Sequence, residues 1–158
     1  MRRFPFLALG LASMILASSA AVAGDDAKAR EIAEKVTTEG AAIFDTLDAR
    51  AMAATYDEKG VIVAYQKENG AIVRETHEGR EKVEAAYAKI FENPETIKSR
   101  NTVDHARLLA PDLLSIDGTF EMNTLKPGSP RIAFHQVRLN KGGKWLVLTM
   151  EISLVKLD

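Results

Sequence analysis

The feature that most constrains this chain is the punctuation of its C-terminal half. Ala110-Pro111-Asp112, Lys126-Pro127-Gly128-Ser129-Pro130 and Lys141-Gly142-Gly143 set residues that fix φ, or tolerate positive φ, at short intervals, and so mark turns. The intervening segments, residues 96–109, 113–122, 131–140 and 144–156, are each expected to be a strand. Upstream the period changes. Ile32, Val36, Ile43, Phe44 and Leu47 recur at helical spacing within residues 26–47, with Gly40 the weak point. Asp48 is placed to cap a short second helix carrying Met52, Ala53 and Tyr56 on one face, its carboxylate accepting an orphan amide proton of the first turn. Residues 61–66 and 72–77 read as the arms of a hairpin around Glu68-Asn69-Gly70. Val83, Ala86, Tyr87, Ile90 and Phe91 then mark a third helix over about 80–92, which Asn93-Pro94 ends. Helices followed by meandering strands predict an α+β domain in which a strongly curved, mostly antiparallel sheet closes over the N-terminal helices.

The first residues carry an address rather than structure. Met1-Arg2-Arg3 is a basic start, residues 4–17 are almost continuously apolar, and Ala21-Val22-Ala23 ends a run of small residues. This is the pattern of a secretory signal, residues 1–23, cut after Ala23 to leave a domain of residues 24–158. An uncleaved anchor is the alternative, since residues 4–23 are just long enough to span a bilayer, but the small, serine-containing tail favours cleavage. Export without a cysteine that could carry lipid places the protein in the periplasm or outside the cell, with no stable membrane insertion after cleavage. Losing Arg2 and Arg3 lowers the basic count from 21 to 19 against 22 acids, which is no nucleic-acid surface. The lack of cysteine also excludes disulfides, thiol nucleophiles and zinc–thiolate sites. No phosphate-binding glycine loop, nucleophile elbow or zinc-protease helix appears, and His77, His105 and His135 fall on three different strands. No cofactor and no metal are expected.

Phe44-Asp45-Thr46-Leu47-Asp48, then Tyr56, then Gly79 opening a helix with Val83, then Pro111-Asp112 before a strand ending Asp117-Gly118-Thr119, then Gly143-Lys144-Trp145 before a last strand, occur in that order. The series resembles the SnoaL-like, NTF2-like superfamily, and especially its SgcJ/EcaC-type branch of small secreted proteins, over essentially all of residues 24–158. The resemblance implies a ketosteroid isomerase-like cone with a pocket between helices and concave sheet. Members include ketosteroid isomerases, polyketide cyclases and dehydratases, so the fold does not choose the function. Relatives often carry histidines four and six residues beyond the strand tryptophan, where this chain has Thr149 and Glu151. The carboxylate base and tyrosine of ketosteroid isomerases have no residue-by-residue match here.

In the resemblance the tryptophan face of the last strand looks into the pocket. Strict alternation then puts Trp145, Thr149 and Glu151 inside and Leu146, Leu148, Met150, Ile152 and Leu154 outside, an apolar face suited to a homodimer. A three-residue turn at Lys141-Gly142-Gly143 sets His135 beside Thr149 and diagonal to Glu151, a base with its orienting acid; a two-residue turn sets it opposite Met150. Alternation also turns Asp104 inward and His105 outward. Asp104, His135 and Glu151 are thus the expected catalytic residues, and each has a plain structural reading as a satisfied polar group. Tyr56, Trp145 and Thr149 are the expected ligand-binding residues, with core packing the alternative for the two aromatics. The leading expectation is a cofactor-independent pocket protein for a small apolar or amphipathic molecule, with acid/base isomerase or cyclase chemistry as its catalytic form. The alternative is a non-catalytic ligand-binding or protein-interaction module.

Overall fold

The computed structural model describes residues 18–93 and 96–154, with side chains from Ala27 onward. The expected signal up to residue 17 lies outside the described residues. The backbone is helical from Ser18, so the Ala23–Gly24 junction falls within the first helix, α1 (Ser18–Phe44). Among the described residues no helix is long and apolar enough to cross a membrane.

Ala29, Ala33 and Val36 form the buried stripe of α1 and pack on Leu114, Ile116 and Phe134 of the sheet, the small alanines allowing close approach. Leu114 and Ile116 are wholly buried, and each contributes roughly 1.5–3 kcal/mol. The Arg30 guanidinium clamps the helix by donating to the carbonyls of Val103 and Asp104 at 3.1 and 2.8 Å. A short helix, α2 (Ala49–Ala54), follows, and the Ala51 N–H donates to Asp48 Oδ1 at 2.9 Å as expected of a cap. Tyr56 does not belong to it: it is the first residue of β1 (Tyr56–Glu68). The hairpin turns at Asn69-Gly70 into β2 (Ala71–Glu78), and α3 (Arg80–Ile90) comes next. The remaining strands are β3 (Arg100–Ala110), β4 (Leu113–Glu121), β5 (Arg131–Lys141) and β6 (Lys144–Ser153).

The six strands form one sheet in the order β2-β1-β6-β5-β4-β3. Every neighbouring pair is antiparallel except β1 and β6, which run parallel and join the first strand to the last. Irregularities in β1, β3 and β6 bend the ladder, because an unpaired extra residue kinks its strand and increases the local twist. The one in β6 decides the site. Gly142 and Gly143, at φ 59° and 85°, make a two-residue turn that pairs Lys141 with Lys144 and Arg138 with Val147. Leu148 is then the extra residue, and beyond it Val137 pairs with Thr149 and His135 with Glu151.

The extra residue flips every later side chain to the opposite face. Val147 faces the concave side, but so do Met150, Ile152 and Leu154, while Thr149, Glu151 and Ser153 turn outward. The continuous outer apolar face expected on this strand is therefore split, with only Leu146 and Leu148 of the five left outside the cavity lining.

Candidate ligand cavity

Between the helices and the concave sheet lies an open cavity of about 360 Å³. Its walls are mostly apolar. Phe44 meets Phe91 and Phe120 edge-on with ring centroids 5.1 and 5.0 Å apart, and Ile62, Phe134 and Met150 complete the sheet side. On β5 the inward positions are Ile132, Phe134, Gln136 and Arg138, so the period-two face that begins apolar ends in an amide and a guanidinium.

Arg138 is only 6% exposed. Its Nε donates to Gln136 Oε1 at 2.8 Å and its Nη1 to the Trp145 carbonyl at 3.2 Å. Burial disfavours its charge and lowers its pKa to about 10, which still leaves a cation at neutral pH. Near it the hydroxyls of Tyr56 and Tyr87 lie 3.0 Å apart, both buried. Burial, reinforced by Tyr87, pushes the Tyr56 pKa well above its usual value, and burial raises that of Tyr87. Both phenols are neutral at physiological pH. One hydroxyl donates to the other, so the acceptor's own proton stays available to a ligand. The only carboxylate lining the cavity among the described residues is Glu75, exposed at the rim, where its Oε1 lies 3.1 Å from His77 Nε2.

The expected catalytic residues do not meet in this cavity. Asp104 is the extra residue of the β3 irregularity, between the pairs Val103–Gly118 and His105–Asp117, and it is exposed. His135 and Glu151 do sit opposite one another, but on the convex face, and His135 Nδ1 lies 2.7 Å from Asp117 Oδ1 instead. Strict alternation fails for Asp104 and Glu151 because each ladder is broken by an extra residue, whereas His135 faces outward because Gly142-Gly143 makes the two-residue turn and not the three-residue one, which sets Arg138 opposite Val147 on the concave side. Thr149 is likewise turned outward with Val137. Trp145 packs against the α1–sheet core and contributes its carbonyl, not its ring, to the site. Tyr56 lines the cavity.

Sequence reasoning missed Arg138, Gln136 and Tyr87. A signal was present: Ile132 and Phe134 are apolar at alternate positions, and the same period carried on reaches residues 136 and 138. Tyr87 lies one helical turn beyond Val83 on the buried face of α3.

No family model and no curated protein matches the chain. Solved structures do. A domain of unknown function with a cystatin-like fold from Nostoc punctiforme superposes with a TM-score of 0.60 at 12% identity, covering 82% of this chain and 79% of that one. An NTF-2 like protein of unknown function from Shewanella oneidensis gives 0.60 at 16% identity, covering 78% and 98%. A ketosteroid isomerase-like protein from Erwinia carotovora atroseptica gives 0.52 at 17% identity over 90% and 100%. At such identities the likeness is one of fold, and it establishes that this chain folds as an NTF2-like, ketosteroid isomerase-like α+β cone.

Proposed function

We propose that this protein binds a small, largely apolar or amphipathic molecule in the cone, after export to the periplasm or beyond, and holds it without transforming it. The observation that carries the reading is the open apolar cavity with a few polar donors gathered at one end. Cavities of a few hundred Å³ with this composition are the usual form of a small-molecule site. The inner end offers a guanidinium, an amide and neutral phenols, all donors, and no base that could abstract a proton. That supports binding over an isomerase step. One observation favours a catalytic second reading: the Glu75–His77 pair lines the cavity at its rim and is, among the described residues, the acid–base couple within reach of a bound molecule. The placement nearer the SgcJ/EcaC-type branch rests on the sequence motifs alone. Self-association through the outer sheet face belongs to the same proposal, carried now by Val137, Leu139, Leu146 and Leu148, and sedimentation of wild type against Leu148→Glu measures it.

The test of binding is Nile red, a neutral polarity-sensitive dye. The expected result is blue-shifted, saturable fluorescence that Ala86→Trp, which fills the α3 wall of the cavity, abolishes while the fold is retained. Absence of dye binding, or equal binding by the filled variant, sinks the proposal.

A further inference from the structure

The polar end of the cavity is specific enough to say what it binds. A guanidinium has five N–H donors in a rigid fork. Arg138 uses two of them on Gln136 and the Trp145 carbonyl, and no acceptor among the described residues takes those of Nη2. The Gln136 amide nitrogen is also without an acceptor. Among the described residues no buried side-chain nitrogen or oxygen is sealed off without a partner, so these donors, on residues that line the cavity, face its space. The space beside Nη2 is left by Gly40, where even an added Cβ would stand 4.0 Å away. The unused tyrosine proton joins the same set.

Among the described residues Arg138 forms no ion pair, Glu39 acting on it only from longer range, and a buried cation without a paired counter-ion is costly unless something neutralises it. A planar carboxylate matches the fork of a guanidinium, accepting from two nitrogens at once. The charge balance selects further: one cation neutralises one negative charge, so a dianionic phosphate monoester would enter with a charge unmet. From this end the lining turns apolar and runs along β6 from Val147 to Leu154, about 23 Å at ~3.3 Å per residue. The exposed lining residues Ile90 and Leu154 mark the mouth.

Resting on the binding reading above, we infer that the ligand is an amphipathic monocarboxylate, its carboxylate seated on Arg138 and Gln136 at the inner end and its hydrocarbon chain directed toward the mouth. The guanidinium supplies charge and the two-point fit, the Gln136 amide holds the guanidinium in plane, and the tyrosine proton caps a carboxylate oxygen. The hydrocarbon chain replaces water along the aromatic walls.

Chain-matched probes test this by displacement of Nile red from the purified protein. Decanoate is expected to compete about tenfold or more tightly than decanol, the range of a charge-assisted hydrogen bond, and decyltrimethylammonium not at all. Each methylene added between octanoate and decanoate should tighten binding about fourfold. Gln136→Glu, close in shape, gives Arg138 an internal counter-ion and should erase the preference for decanoate while Nile red and decanol still bind; Arg138→Gln should do the same. Gln136→Glu keeps the test decisive where Arg138→Gln fails to fold. Equal affinity of wild type for decanoate and decanol, competition by the cation, or a Gln136→Glu variant that keeps the preference overturns the carboxylate assignment and leaves the binding reading standing. Failure of Nile red to bind wild type overturns both.

Discussion

Replacing Gly118 by alanine probes the joint between the sheet and the cavity. Gly118 sits in β4 between Val103 of β3 and Phe134 of β5. A Cβ there would lie 2.3 Å from the Thr102 carbonyl oxygen, 2.6 Å from Phe134 Cζ and 3.0 Å from Phe134 Cε1. The Phe134 ring lines the cavity and can yield into it, whereas the carbonyl is backbone, so relief there means separating β3 from β4. Overpacking of this kind costs roughly 1–3 kcal/mol, and the backbone obstacle puts this site near the upper figure. Alanine restricts the unfolded chain and returns about 0.4–1 kcal/mol. The net expectation is a loss of about 2 kcal/mol, a fall in Tm of roughly 4–8 °C for a domain of this size. Urea unfolding should show a lower midpoint with an unchanged slope, and Nile red binding should weaken as the ring moves inward. Adding Phe134→Leu separates the two obstacles: recovery measures the ring's share, and what remains belongs to Thr102. A Gly118→Ala protein within about 0.5 kcal/mol of wild type would refute the packing argument.

Gly40 gives the opposite sign. Its added methyl meets nothing nearer than Arg138 Nη2 at 4.0 Å, so Gly40→Ala should stabilise α1 by about 1 kcal/mol, read as a higher midpoint in the same urea experiment. Asp57 is buried and accepts from Lys141 Nζ, a bond that, with the Lys59 backbone N–H, holds its pKa below the usual carboxylate value. A depressed folded pKa contributes stability that is complete above the unfolded value near 4 and disappears as pH falls through the folded one. Asp57→Asn should therefore flatten the acid limb of a stability–pH curve below about pH 4, and an unchanged limb would exclude Asp57 as its source. Intact mass of the exported protein is expected to show a chain beginning at Gly24; a product that keeps Phe4 would mean a membrane tether.

What the sequence determines here is local: the three helical stripes, the Asp48 cap, the Asn69-Gly70 hairpin and the turns that part the later strands, each decided by residues within a few positions of one another. Their order implies an α+β domain with a curved sheet over its helices, and the cone itself was what the resemblance of the short motifs implied. It also carried Tyr56 to the cavity, although as the opening residue of β1 and not the last of α2. The faces of the strands were decided elsewhere. Alternation holds only between irregularities, and whether Leu148 or Asp104 becomes the extra residue depends on the curvature the sheet needs to close over α1, with β1 inserted in parallel beside β6. One such residue moves a whole strand's side chains through the sheet, which is why Glu151 and Thr149 lie outside while Met150 and Ile152 line the cavity; His135 was decided by the length of the Gly142-Gly143 turn. Arg138 is the clearest case: the alternation of Ile132 and Phe134 sets it on their face of β5, but nothing near it in sequence says that this end of the face is covered. Only the tertiary structure buries it, leaves it without an ion pair among the described residues and points its free donors into an apolar space, because burial is set by what the distant helices cover.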